Sequence, residues 1–335
     1  MSHPRRFGAA LLAAVLVAAF VFVASGGAAR PRLPQAADGK RVEVVGTGVP
    51  TPTAFAFTGS TVFVGSVEAQ SATQAPGGLF AVAGGTATKV PNTPPLIFGL
   101  AWRAGTLYVS TGWTIEALSG WNGTAFSSAQ TIYANEGEGF PGLNGIGFGP
   151  EGRLYAALAL DDNYDHSKDP FPLSQAVISM TATGQDVQVV TEGVRQPFQM
   201  DFPKGSKYPY VTVLGQDTAK APRDQIVIAR PGRNYGFPTC VWFNSQKQQC
   251  KGFDEPQIFL PPHTSPMGIG SIGKTLYVAL YNGTGNGPEV AEMSERGRSH
   301  PFLTGFTGPI VALGVHAGSV YVGELNGRIY RVAAR

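Results

Sequence analysis

Six copies of one short phrase run through this chain: an apolar strand-like run, a glycine, then a hydrophobic–aromatic–small trio. The first three run Phe55-Ala56-Phe57 to Val62-Phe63-Val64, Leu100-Ala101-Trp102 to Leu107-Tyr108-Val109, and Ile146-Gly147-Phe148 to Leu154-Tyr155-Ala156. The last three run Met200-Asp201-Phe202 to Lys207-Tyr208, Ile269-Gly270 to Leu276-Tyr277-Val278, and Leu313-Gly314-Val315 to Val320-Tyr321-Val322. The turn glycines Gly59, Gly105, Gly152, Gly205, Gly273 and Gly318 are spaced by 46, 47, 53, 68 and 45 residues. A repeat of roughly 40–50 residues built from strands and turns is the signature of a β-propeller blade. The expectation is an all-β, six-bladed β-propeller. The blades form one domain, because no blade buries its own faces alone.

The last copy ends in Arg328-Ile329-Tyr330-Arg331-Val332, the third strand of its blade. A strand-like run, Arg41-Val42-Glu43-Val44-Val45, precedes the first copy. The sequence therefore predicts that this N-terminal strand completes the last blade and closes the ring. The predicted domain runs over residues 41–335. With 44 glycines, 26 prolines and 43% hydrophobic residues among 335, the chain is too glycine-rich for a helical protein and too apolar for a disordered one.

The net charge of +3 is concentrated at one end. Arg5, Arg6, Arg30, Arg32, Lys40 and Arg41 against Asp38 give +5 before residue 42, which leaves about −2 for the body. A near-neutral body lacks the electrostatic footprint of a nucleic-acid binder. Arg5-Arg6 precede an apolar run from Phe7 to Ala24, followed by Ser25, Gly26, Gly27, Ala28 and Ala29. Residues 1–29 read as a secretory signal peptide. The run also approaches the roughly 20 residues that span a bilayer, so an uncleaved membrane anchor is the alternative reading. Both place the body outside the cytoplasm, secreted or anchored. Residues 30–40 read as a linker. Cys240 and Cys250, ten residues apart in an exported chain, are expected to form a disulfide closing a surface loop.

Four segments carry a family resemblance. Asn144-Gly145-Ile146-Gly147-Phe148-Gly149-Pro150-Glu151-Gly152-Arg153-Leu154-Tyr155 resembles the blade-opening segment of the soluble glucose/sorbosone dehydrogenases. Glu192 to Phe202 resembles their "GxRNPxGxxF" segment, Asn234-Tyr235-Gly236-Phe237-Pro238 their "NYGWP", and Pro262 to Gly268 their "PxHSAPxG". The resemblance covers about residues 45–333. It implies a six-bladed propeller that uses pyrroloquinoline quinone (PQQ) and calcium to oxidise a sugar hydroxyl or aldehyde. The protein then supplies the base, the orientation and the charge, and the cofactor supplies the hydride chemistry.

Several matched positions depart from the family pattern. The family's histidine base would fall at Pro141, which cannot accept a proton. Its cofactor-binding arginine would fall near Gly308 and the neighbouring acid near Val311. The cation after the fifth-blade strand is replaced by the glycine-rich run from Asn282 to Gly287. Arg195 is retained, with Gln196 in place of the motif's asparagine. At the family's calcium loop, Gly215-Gln216 and Gln225 stand with Asp217 and Asp224 as possible substitutes. An anionic quinone loses much of its electrostatic clamp where those cations are gone.

The candidate site residues each carry two readings. Arg195 is either an anion-binding guanidinium at the channel mouth or a hydrogen-bonding residue fixing carbonyls between blades. Gln196 and Asn144 stand beside it as cofactor-binding candidates. His263 and Glu138 are the candidate replacements for the missing base, a role that a carboxylate fills when burial raises its pKa. Asp161, Asp162, Asn163 and Asp165 form the densest oxygen cluster in the sequence; with Asp217 and Asp224 they are candidate calcium ligands or solvated loop residues.

Three functions follow. The first is an exported sugar dehydrogenase-like oxidoreductase acting on a small sugar or related alcohol or aldehyde. The second is a binding module outside the cytoplasm that has lost the redox site. The third is a calcium-dependent lactonase-type hydrolase. Side chains converging where the inner strands begin distinguish them: a polar cluster there supports a site, and an apolar plug favours a scaffold.

Overall fold

The computed structural model describes residues 32–67, 76–135, 142–159, 173, 175–218, 221–243 and 250–334. Residues Leu33–Arg335 form one unit built from six sheets. The innermost strands are Pro52–Phe57, Gly99–Arg103, Leu143–Phe148, Pro197–Asp201, Pro266–Ile272 and Ile310–His316. Each packs against the inner strand of the next blade, and the sixth packs against the first, so the ring is closed. The four main strands of each blade pair antiparallel, and in blades two, five and six the first two are joined by two-residue turns. Ala104-Gly105 and Ala317-Gly318 both have positive φ (48° and 84°; 47° and 75°), the two-residue turn whose twist suits a hairpin.

The predicted closing strand is present. Val42–Gly46 pairs antiparallel with Arg328–Ala333, Val42 opposite Val332 and Val44 opposite Tyr330. Two further strands go beyond the sequence reading. Gln35–Ala36, within the predicted linker, adds a fifth strand to blade five opposite Thr304 and Leu303. Arg233–Asn234 adds a parallel fifth strand to blade three beside Thr191 and Glu192. Cys240 and Cys250 form the expected disulfide.

The core is distributed around the ring. Six clusters of buried apolar side chains each draw on two adjacent blades, for example Ala54, Phe63 and Ile97 with Leu100, Leu107 and Val109 between blades one and two. The recurring aromatic of the second strand packs on the last residue of the three-residue inner-strand run, the inner trio, that opens the next blade's copy. Tyr108 meets Phe148 at 4.8 Å, Tyr155 meets Phe202 at 5.4 Å, and Tyr321 meets Phe57 at 4.9 Å. Such pairs add about 0.5–1.5 kcal/mol beyond their buried area. The phrase that marks the repeat in the sequence is thus the phrase that joins one blade to the next.

Polar tethers cross the seams as well. The Thr53 hydroxyl donates to Ile97 O, Ser110 Oγ to Leu143 O at 3.1 Å, and Thr212 Oγ1 to Met267 O at 2.7 Å. Glycines let the inner strands approach closely. A Cβ on Gly145 would lie 2.6 Å from both Phe198 O and Gln199 Oε1. Gly145→Ala is therefore expected to cost about 1–3 kcal/mol through backbone displacement. A calorimetric melt should register this as a fall of several degrees.

Candidate functional site

The inner strands all begin at one face of the ring, and the sequence candidates that are described gather there. Arg195 is 5% exposed, and its guanidinium faces inward to the protein. Its Nη1 donates to Gly215 O at 2.7 Å, Leu214 O at 3.2 Å and Gln196 Oε1 at 3.2 Å. The charge is thereby tied to the loop after the second strand of blade four, and Gln196, also buried, is its partner. Asn144 is buried on the inner strand of blade three, and its Nδ2 donates to Pro197 O of blade four at 2.9 Å. Both side chains hydrogen-bond backbone carbonyls, Arg195 within blade four and Asn144 across the seam to it.

Asp224 is 3% exposed. Its Oδ1 accepts from Gly215 N at 2.7 Å, and its Oδ2 accepts from Ser265 N at 2.8 Å and Thr264 Oγ1 at 3.0 Å. Burial pushes its pKa up, while these donors and the nearby His263 pull it down. The carboxylate holds the blade-four loop to the segment that opens blade five. That segment is tightly fixed: His263 and Ser265 adopt positive φ (60° and 52°), and Asn282 Nδ2 donates to His263 O at 2.9 Å and to Ser265 Oγ at 3.2 Å. Left-handed backbone at non-glycine residues persists only where the surroundings enforce it. The segment presents the His263 ring to solvent with Nδ1 3.5 Å from Asp217 Oδ1; the Asp217 side chain is 81% exposed. His263 and Asp217, assigned to separate roles in the sequence reading, thus form one exposed pair. Glu138, Asp161 and Asp162 lie outside the described residues, as does Pro141.

Two features of this face were missed from the sequence. Phe198, Met267 and Val311, each the second residue of its inner strand in blades four, five and six, pack with Leu214 and Tyr281 into one buried apolar cluster, against which Leu325 rests. Beside it, Gln199 reaches from blade four to the opposite side of the ring. Its Nε2 donates to Phe98 O at 2.6 Å and lies 3.5 Å from Thr53 O. The "GxRNPxGxxF" pattern held the signal for this residue: its second glycine aligns with Gln199, where a long amide replaces a hydrogen atom.

The position matched to the family's arginine is also reassigned. Gly308 N–H donates to Glu324 Oε1 at 2.5 Å, joined by Thr307 N at 2.6 Å and Thr307 Oγ1 at 2.7 Å. Tyr330 OH donates to Glu324 Oε2 at 2.6 Å. The turn that would carry a cation toward the channel instead caps a fully buried carboxylate.

A small recess opens beside the cluster and is lined by Arg195, Gly215, Gln216, Arg223, Cys240 and Trp242. The disulfide loop forms one wall. Trp242 Nε1 donates to Tyr235 O at 2.8 Å, and Arg223 N donates to Trp242 O at 3.0 Å.

The described residues do not fit PQQ or calcium. Calcium takes six to eight oxygen ligands. Here Asp224 is occupied by three donors, Asp217 stands apart from it in solvent, and no group of three acidic, histidine or cysteine side chains converges among the described residues. An anionic quinone needs cationic partners, whereas Gly308 supplies no charge and the Arg195 guanidinium is tied to Leu214 O, Gly215 O and Gln196 Oε1.

Comparison with solved structures gives the fold. A Trichoderma reesei carbohydrate-active enzyme of family AA12 in its iodide form aligns at TM-score 0.73 with 14% identity, over 93% of this chain and 100% of that chain. The PQQ-bound aldose sugar dehydrogenase from Streptomyces coelicolor aligns at 0.68 with 19% identity, over 90% and 99%. A gluconolactonase from Xanthomonas campestris aligns at 0.61 with 12% identity, over 93% and 99%. The fold is that of the soluble sugar dehydrogenases, a six-bladed propeller. No family model matches the sequence, and no curated protein matches it.

Proposed function

We propose that this chain is a sugar-directed propeller acting outside the cytoplasm, a binding module in which the quinone clamp has been rebuilt as structural support. The apolar cluster of Phe198, Met267 and Val311 at the start of the inner strands carries this reading, because buried apolar side chains offer a charged cofactor no counter-charge. The engagement of Arg195 with backbone carbonyls and of Gly308 with Glu324 supports it. The disulfide is consistent with an exported protein.

The ligand class is a small neutral carbohydrate. His263 on its fixed segment and Asp217 on the neighbouring blade-four loop offer hydroxyl-pairing groups at the same face. Rigid polar groups orient a ligand at little entropic cost. The calcium-dependent hydrolase reading lacks its donor set among the described residues.

Titration of the purified protein with PQQ and calcium, followed by tryptophan fluorescence, should give no saturable binding at micromolar cofactor. Supplying aldoses and a redox dye should give no PQQ-dependent reduction. A panel of immobilised carbohydrates should retain the protein, and His263→Ala with Asp217→Ala should weaken retention at least tenfold. PQQ-dependent dye reduction would overturn the proposal in favour of a dehydrogenase.

A further inference from the structure

The six inner trios, from Phe55-Ala56-Phe57 to Leu313-Gly314-Val315, line the seams between blades. Their middle residues are Ala56, Ala101, Gly147, Asp201, Gly270 and Gly314. Five are small, and the geometry says why: the middle residue faces the inner strand of the next blade. A Cβ on Gly270 would lie 2.8 Å from Val315, and one on Gly314 would lie 2.9 Å from Phe55 and Phe57. Blade four alone places a carboxylate there.

The last trio positions are Phe57, Trp102, Phe148, Phe202, Ser271 and Val315. Here blade five departs from the pattern, with a small hydroxyl where the others hold a large apolar group. The two exceptions meet, since the Ser271 hydroxyl donates to Asp201 Oδ2 across the seam between blades four and five. Four other seams carry an aromatic pair at this level: Phe63 with Trp102, Tyr108 with Phe148, Tyr155 with Phe202, and Tyr321 with Phe57. One seam has exchanged its aromatic contact for a carboxyl–hydroxyl contact.

We propose that the Asp201–Ser271 pair is a proton-operated latch that holds the blade four–five seam firmly in mildly acidic surroundings and loosens it as the pH rises to neutral and above. An ionised carboxylate in an apolar seam is costly unless donors surround it. Beyond Ser271, the backbone N–H of Phe202 is the other group that favours the charged form. Burial outweighs both and pushes the Asp201 pKa up to about 6.

Titratable and charged groups stand on the elements packed around Asp201. Tyr210 lies opposite Asp201 in register, and Tyr277 lies opposite Gly270. Arg230 and Glu295 act on Tyr210, and Glu295 pairs with Lys274 at 3.7 Å. On the adjoining loop, Lys204 N donates to Gly273 O and Lys207 lies over the Tyr208 ring. At the other end of the seam, buried Asp224 is shifted in the same direction.

The sign follows from linkage. A carboxyl whose folded pKa lies above its unfolded value near 3.8 binds its proton more tightly in the folded state. Its stabilisation is complete below that unfolded value and is lost as the pH rises through about 6. A shift of this size corresponds to a limiting change in the folding constant on the order of a hundredfold.

The test is the pH dependence of stability in the full chain, from pH 4 to 8, by thermal melts and by amide exchange across residues 197–201 and 266–272. Wild type should lose stability through about pH 6, with exchange at this seam rising most. Asp201→Asn keeps the shape without the titration and should flatten that decline. The histidines and Asp224, unchanged in the variant, cancel in the comparison, so the difference between the two profiles belongs to Asp201. Ser271→Ala removes a donor that favours the ionised form, so it should move the decline to higher pH, and it reports even where Asp201→Asn fails to fold. A wild-type profile unchanged in both variants would overturn the latch.

Discussion

Glu324→Ala is expected to destabilise the propeller by about 3–5 kcal/mol, the range for leaving buried polar partners without their charge. In a domain of this size that corresponds to a fall in melting temperature on the order of 10 °C. Glu324 has no exposed surface, and four donors converge on it: Thr307 N, Thr307 Oγ1, Gly308 N and Tyr330 OH. Truncation leaves a cavity lined by unsatisfied donors, each of which costs about 1–3 kcal/mol when buried. Glu324→Gln retains the shape but presents an amide N–H₂ to one set of donors, so a smaller loss of about 1–3 kcal/mol is expected. Tyr330→Phe removes a single donor and should cost less than either. If Glu324→Ala melted within a degree or two of wild type, the carboxylate would not be organising the Thr307–Gly308 turn.

That network also shows where the sequence stopped being informative. The ring was legible because the residues that define the repeat are the residues that build it. Tyr108 and Phe148 recur at their spacing because each second strand must cover the next inner strand. The closing strand was legible for a similar reason: the last copy ended one strand short, and Val42-Glu43-Val44 was the unassigned strand pattern at the other end.

The site was less legible, because function at a channel mouth depends on where side chains point. The sequence placed Arg195, Gln196 and Asn144 near the starts of inner strands but left open whether they face a ligand or a carbonyl. The answer lies in loop positions that no local pattern encodes: Leu214 and Gly215 come from a loop about 20 residues later, and Pro197 O comes from the neighbouring blade. The pairing of His263 with Asp217 is likewise a tertiary fact, as is the apolar cluster formed by Phe198, Met267 and Val311. The last of these does have a sequence trace, since all three sit at one repeat position. Aligning the copies residue by residue exposes it, as it exposes Asp201 and Ser271.

Deleting residues 41–47 is expected to abolish the folded ring altogether. The deleted strand pairs along Arg328–Ala333 and contributes Val42 to the cluster containing Phe302, Tyr330 and Val332. Without it, blade six retains three strands, its third strand becomes an open edge, and Tyr330 and Val332 lose their cover. An exposed apolar edge strand is a template for aggregation. The loss also propagates, because each blade is stabilised by its neighbours and an incomplete blade weakens the seams on both sides. Size-exclusion chromatography should find the truncated chain aggregated, and thermal melts should show no cooperative transition. Glu43→Ala is the contrasting control. It removes the exposed ion pair with Arg331 but leaves the strand in place, and exposed pairs contribute little. Near-wild-type melting of Glu43→Ala beside collapse of the truncation would locate the effect in strand pairing and burial. A monomeric truncation with a cooperative melt close to wild type would show instead that the ring holds without its closing strand, with the inner-strand contacts between blades six and one sufficient to keep it shut.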